Sequence, residues 1–449
     1  MGILARNGFA TRQQSAAFFS VVFSGQLIYS AFESFKIPFY ERLVTYYGLS
    51  DTQFGLLFMA LGVAVLFYIP GGWVNNRFNV RSLLIAGLLY RCVTSLTMIL
   101  LIPPFPVMFT IALSWGILDA IFWPAVVKGV VLFSGENNKS MGLGLLTALR
   151  AGGEATLNGI LIGVMALLGG TMLVFKAGMI VYACLTVPMA YLVHRFVPAD
   201  SAHASVRGES NGARQADSAR GGENGARQAD SARGVGTDNR QALAGLMATL
   251  RIPTVWLAGL VGLCIYWVYT TLVYTAPYLI RVHAMNADIA PIYTTANAIL
   301  LGLGGGVVGG WLADRLIRSA SKTIFVTLAV SAALLAVLAY VPARPGWMLT
   351  AIIIMSCFAF VILMAKGIQQ APIAELALPD TMLGSAMSVN SFMGFACILW
   401  AMPVNGMILD AFEGEPATAF RIIFLMMAGV AVIGALSAVW LLRLIKAKR

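Results

Sequence analysis

The chain has 449 residues, of which 59% are hydrophobic and only 11% are charged. A soluble domain of this length would need about a quarter of its residues charged, so the composition excludes a soluble enzyme and predicts an integral membrane protein. The formal net charge of +11 does not indicate a nucleic-acid partner, because the excess Lys and Arg lie in loops on one side of the predicted membrane. The five cysteines lie in apolar stretches without CxxC spacing, so neither a metal site nor a cofactor is expected.

Twelve mostly apolar runs are long enough to cross a bilayer as α-helices, each crossing needing about 20 residues. We number them spans 1 to 12, at approximately 16–38, 52–74, 82–102, 106–130, 141–168, 172–195, 253–279, 290–312, 321–341, 347–369, 382–408 and 418–443. An even number of spans puts both termini on one side. Most Lys and Arg residues then fall on that side, and the opposite side has Arg42, Arg281, Arg344 and Arg421. The positive-inside rule therefore predicts a multi-pass protein of the cell membrane, expected to be a bacterial inner membrane, with cytoplasmic termini.

Residues 197–250 have a different composition. They contain a near-tandem repeat, NGARQADSARG, which begins at Asn211 and returns at Asn224. Arg, Asp, Ser, Ala and Gly are abundant there, and positive and negative charges balance. Such a segment cannot bury enough apolar area to offset its chain entropy, so we expect a largely disordered cytoplasmic linker. The chain then divides into a bundle at 1–196, the linker, and a second bundle at 251–449.

The two bundles share an internal repeat. GGWVNNRF begins at Gly71 and GGWLADRL begins at Gly309, an offset of 238 residues, and Lys128–Gly129 returns as Lys366–Gly367 at the same offset. Two matches at one offset are not expected by chance. They predict two six-helix halves related by an axis along the membrane normal.

These motifs resemble the major facilitator superfamily. The resemblance implies an all-α membrane fold of twelve helices in two pseudo-symmetric six-helix bundles, with a gating motif after span 2 and after span 8 in which an acidic residue precedes an arginine. The second-half motif is intact at Gly310, Asp314 and Arg315, whereas the first-half motif at Gly72, Asn76 and Arg77 lacks the acid. Two stretches, Phe122 to Lys128 and GLLTALR from Gly144 to Arg150, are also similar to a bacterial branch of generic permeases near organophosphate and sugar-acid carriers.

Nine ionisable residues lie within the spans, where an unpaired charge costs several kcal/mol. Eight of them are in the first half: Glu33, Lys36, Arg91, Asp119, Lys128, Arg150, Glu154 and Lys176, with Lys366 the ninth. Lys176 can reach the interface, and we expect Arg91 to pair with an acid such as Asp119. The spacing of Glu33 with Lys36, and of Arg150 with Glu154, predicts that each couple shares one helix face.

The resemblance implies that spans 1, 4, 7 and 10 line a central cavity. The candidate substrate-binding or proton-coupling residues are therefore Glu33, Lys36, Asp119, Lys128, Arg150, Glu154, Tyr266, Tyr269, Lys366 and Asn390. Glu33 and Glu154 are the candidate proton sites, because a buried carboxylate beside a cation can bind a proton reversibly. Self-neutralising ion pairs and an interfacial aromatic belt are the alternative interpretations of these residues.

The sequence predicts a secondary transporter that works by alternating access, as a permease coupled to protons or by exchange. Excess basic charge in the spans favours a small organic anion as substrate, and the carrier is expected to be a monomer. The alternatives are an exporter of hydrophobic, drug-like compounds and a transporter-like membrane sensor. No phosphate-binding loop motif is found, so direct use of ATP is not expected.

Overall fold

A computed structural model of the chain describes residues 12–67, 74–75, 78–134, 139–199, 249–376, 386, 389–390 and 392–448. All regular secondary structure in these ranges is helical. Most of the predicted linker lies outside the described residues, as do Gly72, Asn76 and Arg77 of the first gating motif.

Helices are found in the first half at each predicted span. Their bounds are Arg12–Leu27 for span 1, Asp51–Gly62 for span 2, Val80–Leu101 for span 3, Phe105–Phe133 for span 4, Lys139–Leu168 for span 5, and Met172–Cys184 with Thr186–Phe196 for span 6. Two short helices, Glu33–Phe35 and Tyr40–Tyr47, lie between the helices of spans 1 and 2.

The second half repeats this pattern with more interruptions. Span 7 is Pro253–Thr270, Thr271–Tyr274 and Thr275–His283, span 8 is Ala290–Trp311 followed by a π-helical turn at Leu312–Leu316, and span 9 is Ala320–Ala339. Span 10 is Pro345–Trp347 and Met348–Gly367, span 11 includes Cys397–Leu399 and Ala401–Ala411, and span 12 is Pro416–Lys448. A short helix, Ala371–Glu375, follows span 10.

Ten of the described segments are long and apolar enough to cross a membrane, and the bent pair Tyr40–Tyr47 and Asp51–Phe67 makes an eleventh. Side-chain caps fix where several of these helices begin. The Ser50 hydroxyl accepts a hydrogen bond from the Gln53 amide, and the Asn79 side chain accepts one from the Ser82 amide. Each cap satisfies a backbone donor that would otherwise lie unpaired at a helix start.

Span 1 is a regular helix over only part of its predicted length. The helix ends at Leu27, and irregular turns follow to residue 39. Within these turns Pro38 has no amide hydrogen to donate to the Ser34 carbonyl, and its ring disfavours a continuous helix there. Glu33 and Lys36 lie in a short 3₁₀ turn rather than in a long α-helix, and the Lys36 amide donates to the Glu33 carbonyl at 3.3 Å. Residues three apart lie on the same side of such a turn, so the shared face expected from their spacing is compatible with this geometry.

Both halves contribute to one large hydrophobic core, which contains Phe32, Trp115, Tyr274 and Phe420. We call the end of the molecule that carries Arg12 and Lys448 the near end, and the opposite end, where the span 1–span 2 connection lies, the far end. Two smaller clusters extend toward the near end. One includes Phe18, Val80 and Val193 and belongs to the first half alone, and the other includes Val255 and Leu441 and belongs to the second half alone.

Spans 2 and 11 pack against each other across the interface between the halves, and spans 5 and 8 form a second contact across it.

Candidate functional site

The interior of the first half contains a buried ion pair between Arg91 of span 3 and Glu33. Arg91 is 1% exposed, and its guanidinium lies 3.6 Å from the ring centre of Trp115. The Trp115 indole donates to the Thr94 hydroxyl at 2.8 Å, which fixes the ring under the cation. The predicted partner, Asp119, is not the residue paired with Arg91. The break in span 1 brings Glu33 to it instead.

Asp119 lies close to this pair without joining it. Its nearest charges are Arg91, Glu33 and Arg150, and its carboxylate accepts from the Tyr29 hydroxyl. One carboxylate oxygen is buried without a hydrogen-bond partner among the described residues. Asp119 therefore has one carboxylate oxygen that can still bind a proton or accept a hydrogen bond.

Arg150 of span 5 is held by aromatic rings. Its guanidinium lies 4.5 Å from the ring centre of Trp123 and 5.2 Å from that of Tyr29. The predicted couple with Glu154 is not a direct ion pair in the described structure, where the charge nearest to Glu154 is Lys36, followed by Arg150. An arginine stacked in this way keeps its donors available for a ligand.

Lys36, Glu154 and Tyr269 connect the two halves. The Lys36 ammonium interacts electrostatically with Glu154 and Glu33 and lies 5.4 Å from the ring centre of Phe58. The Tyr269 hydroxyl of span 7 interacts electrostatically with the Glu154 carboxylate. The polar interior of the first half thus faces the aromatic side of span 7.

The first-half cluster is balanced in formal charge. It contains three acids and three bases, which are Glu33, Asp119, Glu154, Lys36, Arg91 and Arg150. The positive excess predicted from the sequence therefore comes from Lys128, Lys176 and Lys366, which lie outside this cluster.

Lys366 occupies a different environment in span 10. Its ammonium lies 4.1 Å from the ring centre of Tyr266, 5.0 Å from Phe395 and 5.8 Å from Tyr269, and donates to the Gln369 side chain at 2.6 Å. No carboxylate pairs with it in the described ranges. A cavity of about 360 Å³ opens beside it.

Lys128, which matches Lys366 in the repeat, is engaged with the backbone. Its ammonium donates to the carbonyl oxygen of Asn75 at 2.8 Å, at the end of span 2. Asn390 donates to the Gln370 side chain beside the Lys366 cavity. Lys366, Tyr266, Tyr269 and Asn390 are thus grouped in the second half, whereas Lys128 lies apart from them.

The second gating motif is only partly described. Gly309 is the glycine at a close approach, since a Cβ there would lie 2.5 Å from the Met364 carbonyl oxygen. Gly310 differs, because a Cβ there would have no heavy atom within 4 Å. Arg315 is exposed, and the side chain of Asp314 lies outside the described residues.

The far end carries an ion network that joins the halves and that sequence reasoning missed. Arg281, at the end of span 7, donates to Glu41 at 2.7 and 3.1 Å and to Asp51 at 2.5 and 3.0 Å. Tyr40 also donates to Asp51, at 2.7 Å. Arg42 pairs with Asp288 of the second half and donates to the Gly170 carbonyl at 2.7 Å. We call these contacts the far-end gate.

Span 11 completes the far-end gate through Asp410. Its two carboxylate oxygens accept from the backbone amides of Asp51 and Thr52, each at 2.9 Å. A negative charge at a helix start is favourable because of the helix dipole. Close packing of backbones allows this contact, since a Cβ on Gly406 would lie 2.3 Å from the Asp51 carbonyl oxygen.

The sequence did contain a signal for the far-end gate. Arg42 and Arg281 are two of the four positive residues on the side where few are expected, and both bind acids of the opposite half. A third, Arg421, donates to the Ala339 carbonyl at 3.3 Å within its own half. Exceptions to the positive-inside pattern are thus candidates for structural ion pairs.

An all-helical membrane bundle of two repeated halves, with a charged interior between them, defines the chain as a multi-pass membrane transporter. The family model described as Major Facilitator Superfamily matches residues 22–401, and the chain belongs to that superfamily. The predicted family and fold class are confirmed.

Two curated relatives match most of the chain. It is 23% identical over 449 residues to the inner membrane protein YihN of Escherichia coli (strain K12), covering 98% of both chains. It is 22% identical over 415 residues to the inner membrane protein YqcE of the same organism, covering 89% of this chain and 87% of that one.

Solved structures share the fold. A crystal structure of the nucleoside transporter NupG superposes with a TM-score of 0.66 at 13% identity, covering 96% of this chain and 99% of that one. A bacterial homologue of the human lysosomal transporter Spinster, described as inward-facing and occupied, gives a TM-score of 0.68 at 14% identity, covering 97% of this chain and 98% of that one.

Proposed function

We propose that this protein is a secondary transporter of a small organic anion that works by alternating access in an inner membrane, with both termini in the cytoplasm. The inner-membrane location is supported by the two relatives from Escherichia coli. The cytoplasmic termini are supported by the positive-inside rule.

Alternating access is supported by the difference between the two ends of the molecule. At the far end the halves are joined by Arg281, Asp410 and Arg42, and by close packing of spans 2 and 11. Toward the near end the described hydrophobic clusters are separate for each half. This arrangement fits a carrier whose interior is reached from the near end, which is the cytoplasmic side in our proposal.

The preference for an anion is carried by the unpaired Lys366. The first-half cluster is neutral in sum, so it supplies no excess of either sign. Lys366 adds a cation that has no carboxylate partner among the described residues. Arg150 adds a guanidinium that is stacked on Trp123 and has N–H donors available for a ligand. A cation left without a partner inside a membrane protein is costly unless a ligand or water compensates it.

Glu154 is the better candidate for proton coupling of the two acids named from the sequence. Glu33 is already bound by the buried guanidinium of Arg91, and releasing it would break a buried ion pair. Glu154 has Lys36 and Arg150 nearby but forms no direct ion pair in the described structure. An anion bound at Arg150 would weaken the hold of that cation on Glu154 and favour its protonation.

Transport into liposomes tests the proposal. Purified protein is reconstituted, and uptake of a panel of labelled anions is measured with and without an imposed pH gradient. We expect saturable uptake of at least one organic anion, strongly reduced by Lys36→Ala and by Arg150→Ala. Unchanged uptake in both variants would refute the cationic site, and transport of hydrophobic cations alone would refute the anion carrier.

A further inference from the structure

Lys128 and Lys366 occupy matching positions in the repeat but have different neighbours. The offset of 238 residues relates Lys128 to Lys366, Asn75 to Ala313 and Pro124 to Ile362. If both lysines had one function, their surroundings would be similar. In the structure the Lys128 ammonium donates to a backbone carbonyl, whereas a cavity opens beside Lys366.

In the first half, the end of span 2 is fastened to span 4. Lys128 donates to the Asn75 carbonyl at 2.8 Å, and the Asn75 side chain donates to the Ile121 carbonyl at 2.8 Å. Pro124 of span 4 has no amide hydrogen to donate to the Ala120 carbonyl, which is next to Ile121 in the same helix. Asn75 is 5% exposed, so both hydrogen bonds are formed by a buried residue. We call them the Asn75–Lys128 clamp.

The second half has no matching clamp among its described residues. Ala313 has no side-chain amide to donate across to span 10, and Lys366 donates to the Gln369 side chain rather than to the Ala313 carbonyl. Ile362 replaces the proline, so no comparable kink is required. The space beside the lysine is instead a cavity of about 360 Å³, lined by Gly310, Ala313, Ala320, Lys366, Gly367, Ile368, Gln369, Gln370, Ala371 and Phe395. Small side chains form much of its wall, so the volume remains open.

The chemistry of this cavity suits an anionic group. Lys366 has three donors, and one of them is used by Gln369 at 2.6 Å. Gln369 also donates to the Gly262 carbonyl at 3.1 Å, which holds its amide in place. The Phe395 ring borders the cavity and can pack against an apolar part of a ligand. A volume of this size is within the range of about 300–1,000 Å³ found for small-molecule sites.

We propose that the cavity beside Lys366 binds a carboxylate, phosphate or sulfate group. The site is specific to the second half, because Lys128 of the first half already donates to the Asn75 carbonyl in the Asn75–Lys128 clamp. This site rests on the proposed function, which is anion transport. It would supply the second-half contact to the transported anion. Lys128 is then a positioning residue for span 2 and does not contact the anion.

Binding to the purified protein tests the site independently of transport. The unfolding temperature is measured in detergent as sulfate, inorganic phosphate or acetate replaces chloride at constant ionic strength. We expect stabilisation by at least one of these anions. Lys366→Gln should weaken its apparent affinity by about 10- to 100-fold, the loss expected for a hydrogen bond to a charged group. Ala313→Asn, which places the first-half residue in the cavity, should also abolish the effect.

Lys128→Gln provides the matched comparison. It should lower the unfolding temperature without anion but leave the apparent anion affinity within about twofold, because its partner is a backbone carbonyl. Equal loss of affinity in Lys128→Gln and Lys366→Gln would overturn the proposal, as would unchanged affinity in Lys366→Gln. If Ala313→Asn fails to fold, Lys366→Gln still decides the question.

The two proposals fail in distinguishable ways. Lys366-dependent anion binding without any uptake into liposomes would keep the site and refute the carrier. Uptake that is unaffected by Lys366→Gln, together with unchanged anion affinity, would refute the site and leave the carrier.

Discussion

Replacing Arg281 by Gln should open the far-end gate. Arg281 is 24% exposed and bridges Glu41 and Asp51, which are 21% and 8% exposed. A hydrogen bond to a charged group is worth about 1.5–3 kcal/mol, and breaking a fully buried pair costs about 3–5 kcal/mol. Because solvent screens part of this network, we expect closure of the far end to lose about 2–3 kcal/mol, which shifts its equilibrium by about 30- to 150-fold.

A distance measurement across the far end reads this shift directly. Spin labels are placed at the exposed positions Thr45 and Glu413, one in each half, after the native cysteines are replaced. Arg281→Gln should move the distance distribution toward longer separations. Arg281→Lys should have an intermediate effect, because a single ammonium cannot reproduce the forked contacts of a guanidinium with two carboxylates.

Arg421→Gln is the matched control, since Arg421 lies at the same end but its described hydrogen bond goes to the Ala339 carbonyl of its own half. It should leave the distance distribution unchanged. If Arg281→Gln and Arg421→Gln give the same distribution as the unmodified protein, Arg281 does not hold the far end closed, and our account of the gate is wrong.

Three further changes test other contacts. Gly406→Ala should separate spans 2 and 11, because the new Cβ would lie 2.3 Å from the Asp51 carbonyl oxygen. Gly429→Ala is the control and should not separate them, because no heavy atom lies within 4 Å of its Cβ position. The distances between the same spin labels report both effects. Asp410→Asn should weaken the gate by about 1 kcal/mol or more through loss of a charged cap, seen as a smaller shift in that distance. Glu33→Gln leaves Arg91 buried without its counter-charge and should lower the unfolding temperature by several degrees; an unchanged value would show that Arg91 does not depend on Glu33.

The spans and the repeat could be predicted because both depend on local information. A run of apolar residues is long enough to cross a bilayer whatever its neighbours are, and a motif at a constant offset identifies a copied half. The contact between Lys366 and the Tyr266 ring fits the same reasoning, since both residues lie on spans expected to line the interior.

Partners across the fold could not be predicted in the same way. The sequence predicts that Arg91 pairs with an acid such as Asp119, but in the structure the turns after Leu27 bring Glu33 to it. Arg281 and Asp51 are 230 residues apart, and nothing in their local sequences relates them. Such pairings depend on helix breaks and on how the halves meet, which only tertiary structure determines.

The two ends of the carrier differ in the charged groups that can join the halves, and this difference suggests what the substrate must do. The far-end gate joins the halves with two arginines and several carboxylates, whereas the first gating motif near the other end has Asn76 in place of an acid. We infer that the empty protein favours the state closed at the far end. A ligand shifts such an equilibrium only by its differential affinity for the two states, and about 3 kcal/mol corresponds to a factor of about 150. An anion held at once by Arg150 of the first half and Lys366 of the second would supply that difference by drawing the near ends of the halves together.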